Sequence, residues 1–233
     1  GYYHAGGSAT GSVYFENNII DVLSVTAAST AYAVGARISS AIAQSKFVNN
    51  NQIYNVTGGS GTGAYTSGII VDFLPSGSTV NDNNIDMVTS TSHVIGLQCA
   101  SATSVSTSSN QTYTVSGNGV TNISSTGNSI SAVGIFAHAL TSLEFNNNRV
   151  DGVTSTGTSP SNINGMRIGG GAVSNTFNIN NCQIANVVHS NAASTGSPVG
   201  IYLFPNSNTI NVFSNSIYNI SGTGLGAVRG IYS

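Results

Sequence analysis

The sequence predicts an all-β fold, a right-handed parallel β-helix (β-solenoid) of about seven coils with roughly 33 residues each. Three observations lead to this prediction. A repeat of that length runs through the chain, short segments alternate apolar and polar residues, and one column of the repeat is almost entirely Asn. We therefore expect residues 1–233 to form one β-helix segment.

The repeat is centred on an Ile or Val that recurs at intervals of 30 to 35 residues. A fixed period in this range is typical of solenoids, in which each unit buries its apolar residues against the next. Seven units account for the chain. Their central apolar residues are Ile20, Ile53, Ile85, Val120, Val150, Ile184 and Ile217.

A structural ladder is predicted two positions before each central residue. Six of these seven positions hold Asn, and Cys182 occupies the other. A side-chain amide has both a donor and an acceptor, so each Asn can hydrogen-bond to its equivalent one coil away. The predicted ladder consists of Asn18, Asn51, Asn83, Asn118, Asn148 and Asn215.

Each unit contains two or three short strands, and no segment shows a helical apolar stripe. Units this short cannot complete a sheet, so equivalent strands should pair in parallel, about 4.8 Å apart, around a shared core. The right hand follows from the general preference of parallel connections. Ser/Thr/Gly segments of variable length, such as Ile123-Ser124-Ser125-Thr126-Gly127, are predicted to be surface loops.

The composition argues against several functions. Only 5% of residues are charged and the formal charge is -2, so no basic patch is available for nucleic acid. No apolar run approaches about 18 residues, so membrane insertion is not predicted. Cys99 and Cys182 fall three coils apart in different parts of the repeat, and we expect two unpaired thiols.

Two kinds of motif recur in the units: the first is seen in Asn50-Asn51-Gln52-Ile53-Tyr54-Asn55-Val56 and Asn215-Ser216-Ile217-Tyr218-Asn219-Ile220, and the second in Gly200-Ile201-Tyr202 and Gly230-Ile231-Tyr232. Through these motifs the chain resembles right-handed parallel β-helix repeat proteins over its entire length. It looks most similar to Asn/Ser/Thr-rich repeat segments of large secreted or cell-surface proteins exported by the type IX secretion pathway. This resemblance implies an extracellular or cell-surface location, whereas the fold itself hosts enzymes, adhesins and stalks alike.

A second anchor of the repeat, a Gly followed by alternating apolar residues, predicts a strand whose second residue after Gly faces outward. Aromatic and Arg side chains in such a line offer rigid faces and directional donors to a sugar or protein. Alternatively, they pack on one another along an exposed sheet. The outward column comprises Tyr3, Arg37, Ile70, Gln98, Phe136, Arg167, Tyr202 and Tyr232.

No catalytic residue, metal site or cofactor is predicted. Asp21, Asp86 and Asp151 share one column but occupy alternate coils, roughly 10 Å apart, too far to share an ion. Asp82 and Asp86 lie within one coil and are expected to be solvated turn residues. The four histidines show no short metal-ligand spacing.

Four Asn residues match the N-glycosylation pattern: Asn55, Asn110, Asn122 and Asn219. Three of these matches arise from the repeat consensus itself. We therefore interpret them as coincidental.

The leading functional hypothesis is a non-enzymatic structural or adhesive segment, a rigid rod of a large secreted or cell-surface protein. The alternative is a carbohydrate-binding or carbohydrate-cleaving parallel β-helix that uses the outward column. Ice binding is a weaker third hypothesis, because the Thr residues form no regular array. Expected partners are surface glycans, other cell-surface or secretion-system proteins, and flanking β-helix coils beyond both ends of the chain.

Overall fold

A computed structural model of the protein describes residues 1–5, 11–25, 32–39, 44–59, 64–99, 112–127, 131–139, 141–158, 162–170, 175–204 and 208–233. These residues form 23 β-strands, and none of the described residues is helical. The strands stack into three sheets.

Each sheet runs along the length of the solenoid and takes at least one strand from every turn. Sheet 1 contains β1 (Tyr2–Ala5), β5 (Tyr32–Ser39), β8 (Tyr65–Val71), β11 (His93–Cys99), β14 (Ser131–Ala139), β17 (Asn162–Gly170), β20 (Pro198–Phe204) and β23 (Arg229–Tyr232). Sheet 2 contains β2 (Ser12–Glu16), β6 (Ser45–Asn49), β9 (Thr79–Asn81), β12 (Thr112–Ser116), β15 (Ser142–Asn146), β18 (Asn175–Asn180) and β21 (Asn208–Phe213). Sheet 3 contains β3 (Ile19–Ile20), β4 (Leu23–Ser24), β7 (Gln52–Thr57), β10 (Asn84–Ser90), β13 (Gly119–Ser125), β16 (Arg149–Ser155), β19 (Gln183–His189) and β22 (Ser216–Gly222).

The strand pairing confirms the predicted parallel β-solenoid. Pairs such as β10 with β13 and β13 with β16 are parallel and join residues about one repeat apart. Seven equivalent positions are separated by six turns, so the chain makes about six turns where seven coils were predicted. The central apolar residues lie in register, for example Ile85 beside Val120 and Val120 beside Val150.

The two anchors of the repeat meet inside the solenoid. Gly68 of sheet 1 faces Ile85 of sheet 3, and a Cβ atom on Gly68 would lie only 2.4 Å from Cγ2 of Ile85. Gly96 has the same relationship to Val120, at 2.3 Å. Since the central apolar residue fills the space where a side chain would stand, this column of the repeat requires Gly.

The Asn ladder is present at the bend between sheets 2 and 3. Nδ2 of Asn51 donates to Oδ1 of Asn83 at 2.9 Å, and Nδ2 of Asn83 donates to Oδ1 of Asn118 at the same distance. Each Nδ2 also donates to a main-chain oxygen of the preceding turn, as Asn83 does to Val48 at 2.8 Å. These three Asn residues are at most 1% exposed, so the ladder satisfies polar groups that water cannot reach.

Two bends in each turn hold a residue in the left-handed region, which Asn and Gly tolerate best. The first bend lies directly before the ladder position and the second lies within sheet 3. The first set is Asn17, Asn50, Asp82, Gly117, Asn147, Asn181 and Ser214. The second set is Val22, Asn55, Met87, Asn122, Gly152, Asn186 and Asn219.

The prediction of a loop over Ile123-Ser124-Ser125-Thr126-Gly127 is wrong in its first half. Strand β13 continues to Ser125, and both Ile123 and Ser125 are buried. The small Ser side chain fits the inner face and donates from Oγ to the carbonyl of Ser92 at 3.0 Å. A buried hydroxyl therefore continues the inward alternation that its polarity concealed in the sequence.

Candidate functional site

The predicted outward column lies in register along the outer face of sheet 1. Its members follow one another through adjacent strands: Tyr3, Arg37, Ile70, Gln98, Phe136, Arg167, Tyr202 and Tyr232. The column is not evenly exposed, however. Tyr3 is 65% exposed, whereas Ile70, Gln98 and Phe136 are at most 9% exposed.

The buried middle of the column borders a groove with a cavity volume of about 410 Å³. Apolar residues on this face form a cluster separate from the solenoid core, made of Ile95, Val133 and Phe136. The groove therefore combines apolar and polar side chains. Its lining consists of Tyr32, Arg37, Tyr65, Ile70, Asp72, His93, Ile95, Gln98, Ser131, Val133, Phe136 and Arg167.

One end of the groove is held by polar contacts between turns. Nε of Arg37 donates to Oδ2 of Asp72 at 2.8 Å, and the Asp72 side chain is 5% exposed. The Tyr65 hydroxyl donates to Oε1 of Gln98. Burial raises the pKa of Tyr65, and the negative charge of Asp72 adds to that effect. The Tyr65 hydroxyl therefore remains protonated and serves as a hydrogen-bond donor.

The other end of the groove is built around Arg167. Its guanidinium carbon lies 5.6 Å from the ring centres of both Phe136 and Tyr202 and 4.9 Å from that of Phe204. Tyr202 in turn stacks on Tyr232, with ring centres 5.4 Å apart. Burial lowers the pKa of Arg167. The rings thus hold a partly desolvated cation in a fixed position.

The contribution of Phe204 to this site was not predicted from the sequence. It follows Tyr202 by two residues, outside the column that the sequence singled out. Its ring stacks on Phe136 with centres 6.0 Å apart and an interplanar angle of 11°. The sequence feature that could have identified Phe204 is its pairing with Gly169 in the preceding turn, because a Gly leaves space for an aromatic ring.

Aromatic rings of the column contact one another or Arg167. For Phe136 and Tyr202, this supports the alternative that the column residues pack on one another, because their ring faces contact Arg167 and Tyr232 and are not open to a ligand. Tyr3, at 65% exposed, and Tyr32, at 63%, present the most open aromatic surface near the groove. Any ligand would therefore meet ring edges and donors in the middle of the column and ring surface at its N-terminal end.

The column of acidic residues on sheet 3 links adjacent turns. Oδ1 of Asp86 accepts hydrogen bonds from Thr121 Oγ1 at 2.6 Å and from Asn122 Nδ2 at 2.7 Å. The prediction of a solvated turn is wrong for Asp86, which lies within β10 and is only partly exposed. The same prediction is right for Asp82, an exposed residue at a bend. Asp21 and Asp151 likewise accept hydrogen bonds from Asn residues one turn away.

The glycosylation-like Asn residues occupy the second bend of the turn. Nδ2 of Asn55 donates to Asp21 at 2.7 Å, and Nδ2 of Asn219 donates to Asn186 at 3.2 Å. With Asn122, they use the amide nitrogen that a glycan would modify to connect turns. Asn110 lies outside the described residues.

The two thiols are buried in different parts of the solenoid. Cys99 lies in β11 and Cys182 lies at the ladder position between β18 and β19. Burial raises the pKa of Cys182 to about 11, so the thiol stays protonated at neutral pH. Within the described part of the chain, no group of three or more His, Cys, Asp or Glu side chains is close enough to hold a metal ion.

Lys46 is a buried cation that the sequence analysis did not single out. It lies on the inner face of β6, is 0% exposed, and its Nζ donates to the carbonyls of Gln44 and Phe73. Burial lowers its pKa to about 8, and the charge of Asp72 opposes part of this shift. Lys46 occupies the same position in its turn as Tyr113 and Leu143 occupy in later turns. A Lys at a position that is apolar in those turns is the sequence feature that could have identified it.

Comparison of the chain with protein-family models, curated proteins and solved structures gives no significant match. Among the described residues, no helix is long and apolar enough to cross a membrane.

Proposed function

We propose that this chain is a non-enzymatic structural or adhesive segment, a rigid rod that displays the outer face of sheet 1. The observation that carries this proposal is the use of the carboxylates to join turns. Glu16, Asp21, Asp86, Glu144 and Asp151 each accept a hydrogen bond from a residue one turn away. Asp72 is ion-paired with Arg37 inside the groove. Hydrolysis of a glycosidic bond by the usual mechanism requires two carboxyl groups on either side of the substrate.

The rod is stiffened by contacts that repeat from turn to turn. Buried Asn side chains bond along the solenoid axis, and central residues such as Ile53 and Ile85 are fully buried beside one another. Each turn contacts its neighbours through three parallel sheets. A solenoid with such a continuous core resists bending, which suits a spacer or display element.

The expected setting is extracellular. The Asn-rich units resemble repeat segments of large secreted or cell-surface proteins exported by the type IX pathway, and we extend that resemblance to this chain. The partners that this role would supply are surface glycans and other cell-surface or secretion-system proteins. The buried hydrogen bonds of the ladder would keep the rod folded without a cofactor.

A second candidate is a carbohydrate-binding or carbohydrate-cleaving β-helix. The groove favours the binding form of this candidate, because polar groups of Tyr65, Gln98 and Arg37 lie beside the apolar cluster of Ile95, Val133 and Phe136. Asp72 is the one carboxylate of this face. An enzyme that cleaves carbohydrate in this groove would therefore have to use Asp72 with a non-carboxylate partner.

A panel of polysaccharides separates a non-enzymatic rod, with or without glycan binding, from a carbohydrate-cleaving enzyme. The purified chain is incubated with each polysaccharide, bound material is measured by pull-down, and new reducing ends or unsaturated sugars are measured in the same samples. We expect binding without product. Product that disappears in an Asp72→Asn variant with an unchanged melting temperature would overturn the non-enzymatic role.

A further inference from the structure

The outer face of sheet 1 has a net charge opposite to that of the whole chain. The formal charge of the protein is -2, yet this face carries Arg37, Arg167 and Arg229 against the single carboxylate of Asp72, a net charge of +2. The other six acidic residues lie in sheets 2 and 3 or at their bends: Glu16, Asp21, Asp82, Asp86, Glu144 and Asp151. Such a separation of charge attracts anions to one face of the rod.

Two of these arginines contact aromatic rings in place of carboxylates. Arg167 lies 4.9 Å from the ring centre of Phe204, and Arg229 lies 4.2 Å from that of Tyr232. Arg37 is different, since Asp72 already neutralises it. A ring holds a guanidinium in place without cancelling its charge, so these two cations are ordered in advance for an anionic group.

Buried donors near Arg167 also lack an acceptor. Nε of Arg167 and Nδ2 of Asn164, both on β17, have no hydrogen-bond partner in the described part of the chain. Asn164 is 2% exposed and lies in register with Val133, which lines the groove. Buried donors without acceptors are costly. Arg167 lines the groove, so a small movement of its side chain would let an oxygen atom of a ligand accept from Nε.

We propose that this face binds an acidic polysaccharide, whose carboxylate or sulfate groups contact Arg167 and Arg229 while its hydroxyl groups bond to the polar lining of the groove. This inference rests on the adhesive form of the proposed function. The two arginines are about two turns apart, roughly 10 Å along the solenoid axis, so an extended chain laid along that axis would reach both.

A sugar chain fits this surface better than an acidic peptide does. The groove places the hydrogen-bonding side chains of Tyr65, His93 and Gln98 beside the apolar side chains of Ile95 and Val133. A sugar ring offers both kinds of surface, with hydroxyl groups at its edge and C–H groups on its faces. Guanidinium groups pair with either carboxylate or sulfate oxygens through two parallel hydrogen bonds.

Titration calorimetry with oligosaccharides of one length tests this inference. The probes are an oligogalacturonate octamer, its carboxyl-reduced neutral form, a chondroitin sulfate octasaccharide and a poly-glutamate peptide. We expect one or both acidic octamers to bind at least about ten-fold more tightly than the neutral octamer, and the preference to shrink at high salt. The carboxylated and sulfated probes then distinguish the two sources of charge.

Matched variants locate the binding site. Arg167→Gln and Arg229→Gln should each weaken acidic binding about ten-fold. Arg149→Gln is the control, because Arg149 lies in sheet 3 and is paired with Asp151. Asp72→Asn should instead strengthen acidic binding, since it releases the charge of Arg37. Melting temperatures check that each variant folds, and the partly exposed Arg229 decides the test if Arg167→Gln does not fold.

Several outcomes would overturn the inference. Equal binding of the neutral octamer, tighter binding of poly-glutamate, or an equal loss in Arg149→Gln would each remove the acidic glycan as ligand, while leaving an adhesive rod in place. Cleavage of an octamer would instead contradict the non-enzymatic role, while the preference for acidic sugars would still hold.

Discussion

The backbone of Gly134 lies directly against the side chain of Val150 across the core of one turn. A Cβ atom on Gly134 would stand 2.4 Å from Cγ1 of Val150 and 2.5 Å from the carbonyl oxygen of Gly165. Real Cβ atoms do not approach other heavy atoms this closely, so any side chain here must displace the neighbouring turn. The repeat therefore needs a Gly at this position wherever Ile or Val fills the core opposite it.

Gly134→Ala should lower the free energy of unfolding by about 2–3 kcal/mol, because the added methyl group overpacks the core. Urea denaturation measures this change. Gly119→Ala is the control, since its new Cβ would meet only Asn84 Oδ1 at 3.4 Å. We expect a change of about 0.5 kcal/mol or less there. Equal effects at the two positions would show that the contact with Val150 does not matter.

Cys182→Asn should raise the free energy of unfolding by about 1 kcal/mol, because it completes the ladder. The main-chain and side-chain amides of Asn148 now donate to a thiol, which is a weak acceptor. The main-chain N–H of Cys182 already donates to Asn215 Oδ1 at 2.9 Å, so the site has ladder geometry.

Cys182→Ser serves as the matched control in the same urea titration, since it removes the thiol without providing an amide. If the Asn variant is no more stable than the Ser variant, the ladder does not contribute in the way proposed here.

Met87→Asn should stabilise the protein by about 1 kcal/mol, since Met87 holds a left-handed φ of 57° that Asn adopts more readily. Met87 is 48% exposed, so the substitution removes little packing. Thermal unfolding of Met87→Asn and of the control Met87→Leu measures the difference. The Leu variant should resemble the original protein, and an equal gain in both variants would mean that the backbone conformation is not the cause.

Lys46 makes stability rise with pH through the weakly alkaline range. Its pKa is about 8 in the folded protein and 10.5 in an unfolded chain, so between these values the unfolded state binds more protons. Below pH 8 burial of the charged amine opposes folding in full, and this cost fades as pH approaches 10.5.

A Lys46→Met variant should lose this rise. The difference in unfolding free energy between the two proteins is measured by urea denaturation at several pH values from about 7 to 10. The comparison also cancels the titration of Tyr65 and Tyr113, whose pKa values burial raises. A constant difference across the range would mean that Lys46 is not buried as a titrating group.

The fold followed from the sequence because its physical causes recur in every turn. Asn stands at six of the seven ladder positions, Gly packs against Ile or Val six times, and period-two alternation recurs in the units, so an exception in one unit does not hide the pattern. The second bend was missed, because Val22 and Met87 adopt the left-handed conformation without being Asn or Gly. In these residues the tertiary structure overrides the local preference.

The sequence predicted which residues of the candidate site are neighbours, but it did not predict how deeply their side chains are buried. Register placed Arg37, Phe136 and Arg167 on one face, since parallel stacking fixes which positions are neighbours. Burial of Gln98 and the contact of Phe204 with Arg167 depend on side-chain packing between different columns. A one-dimensional repeat contains no signal for such contacts.

The most direct test of the stacked ladder is a nuclear Overhauser measurement between the side-chain amide groups of Asn83 and Asn118. These residues are 35 positions apart in the chain, and Nδ2 of Asn83 lies 2.9 Å from Oδ1 of Asn118. We predict an observable cross-peak between the Nδ2 protons of the two residues, which lie one strand spacing (~4.8 Å) apart, together with slow exchange of the Asn83 amide protons with water. Contacts of Asn83 with its sequence neighbours alone, and rapid exchange, would contradict the in-register solenoid.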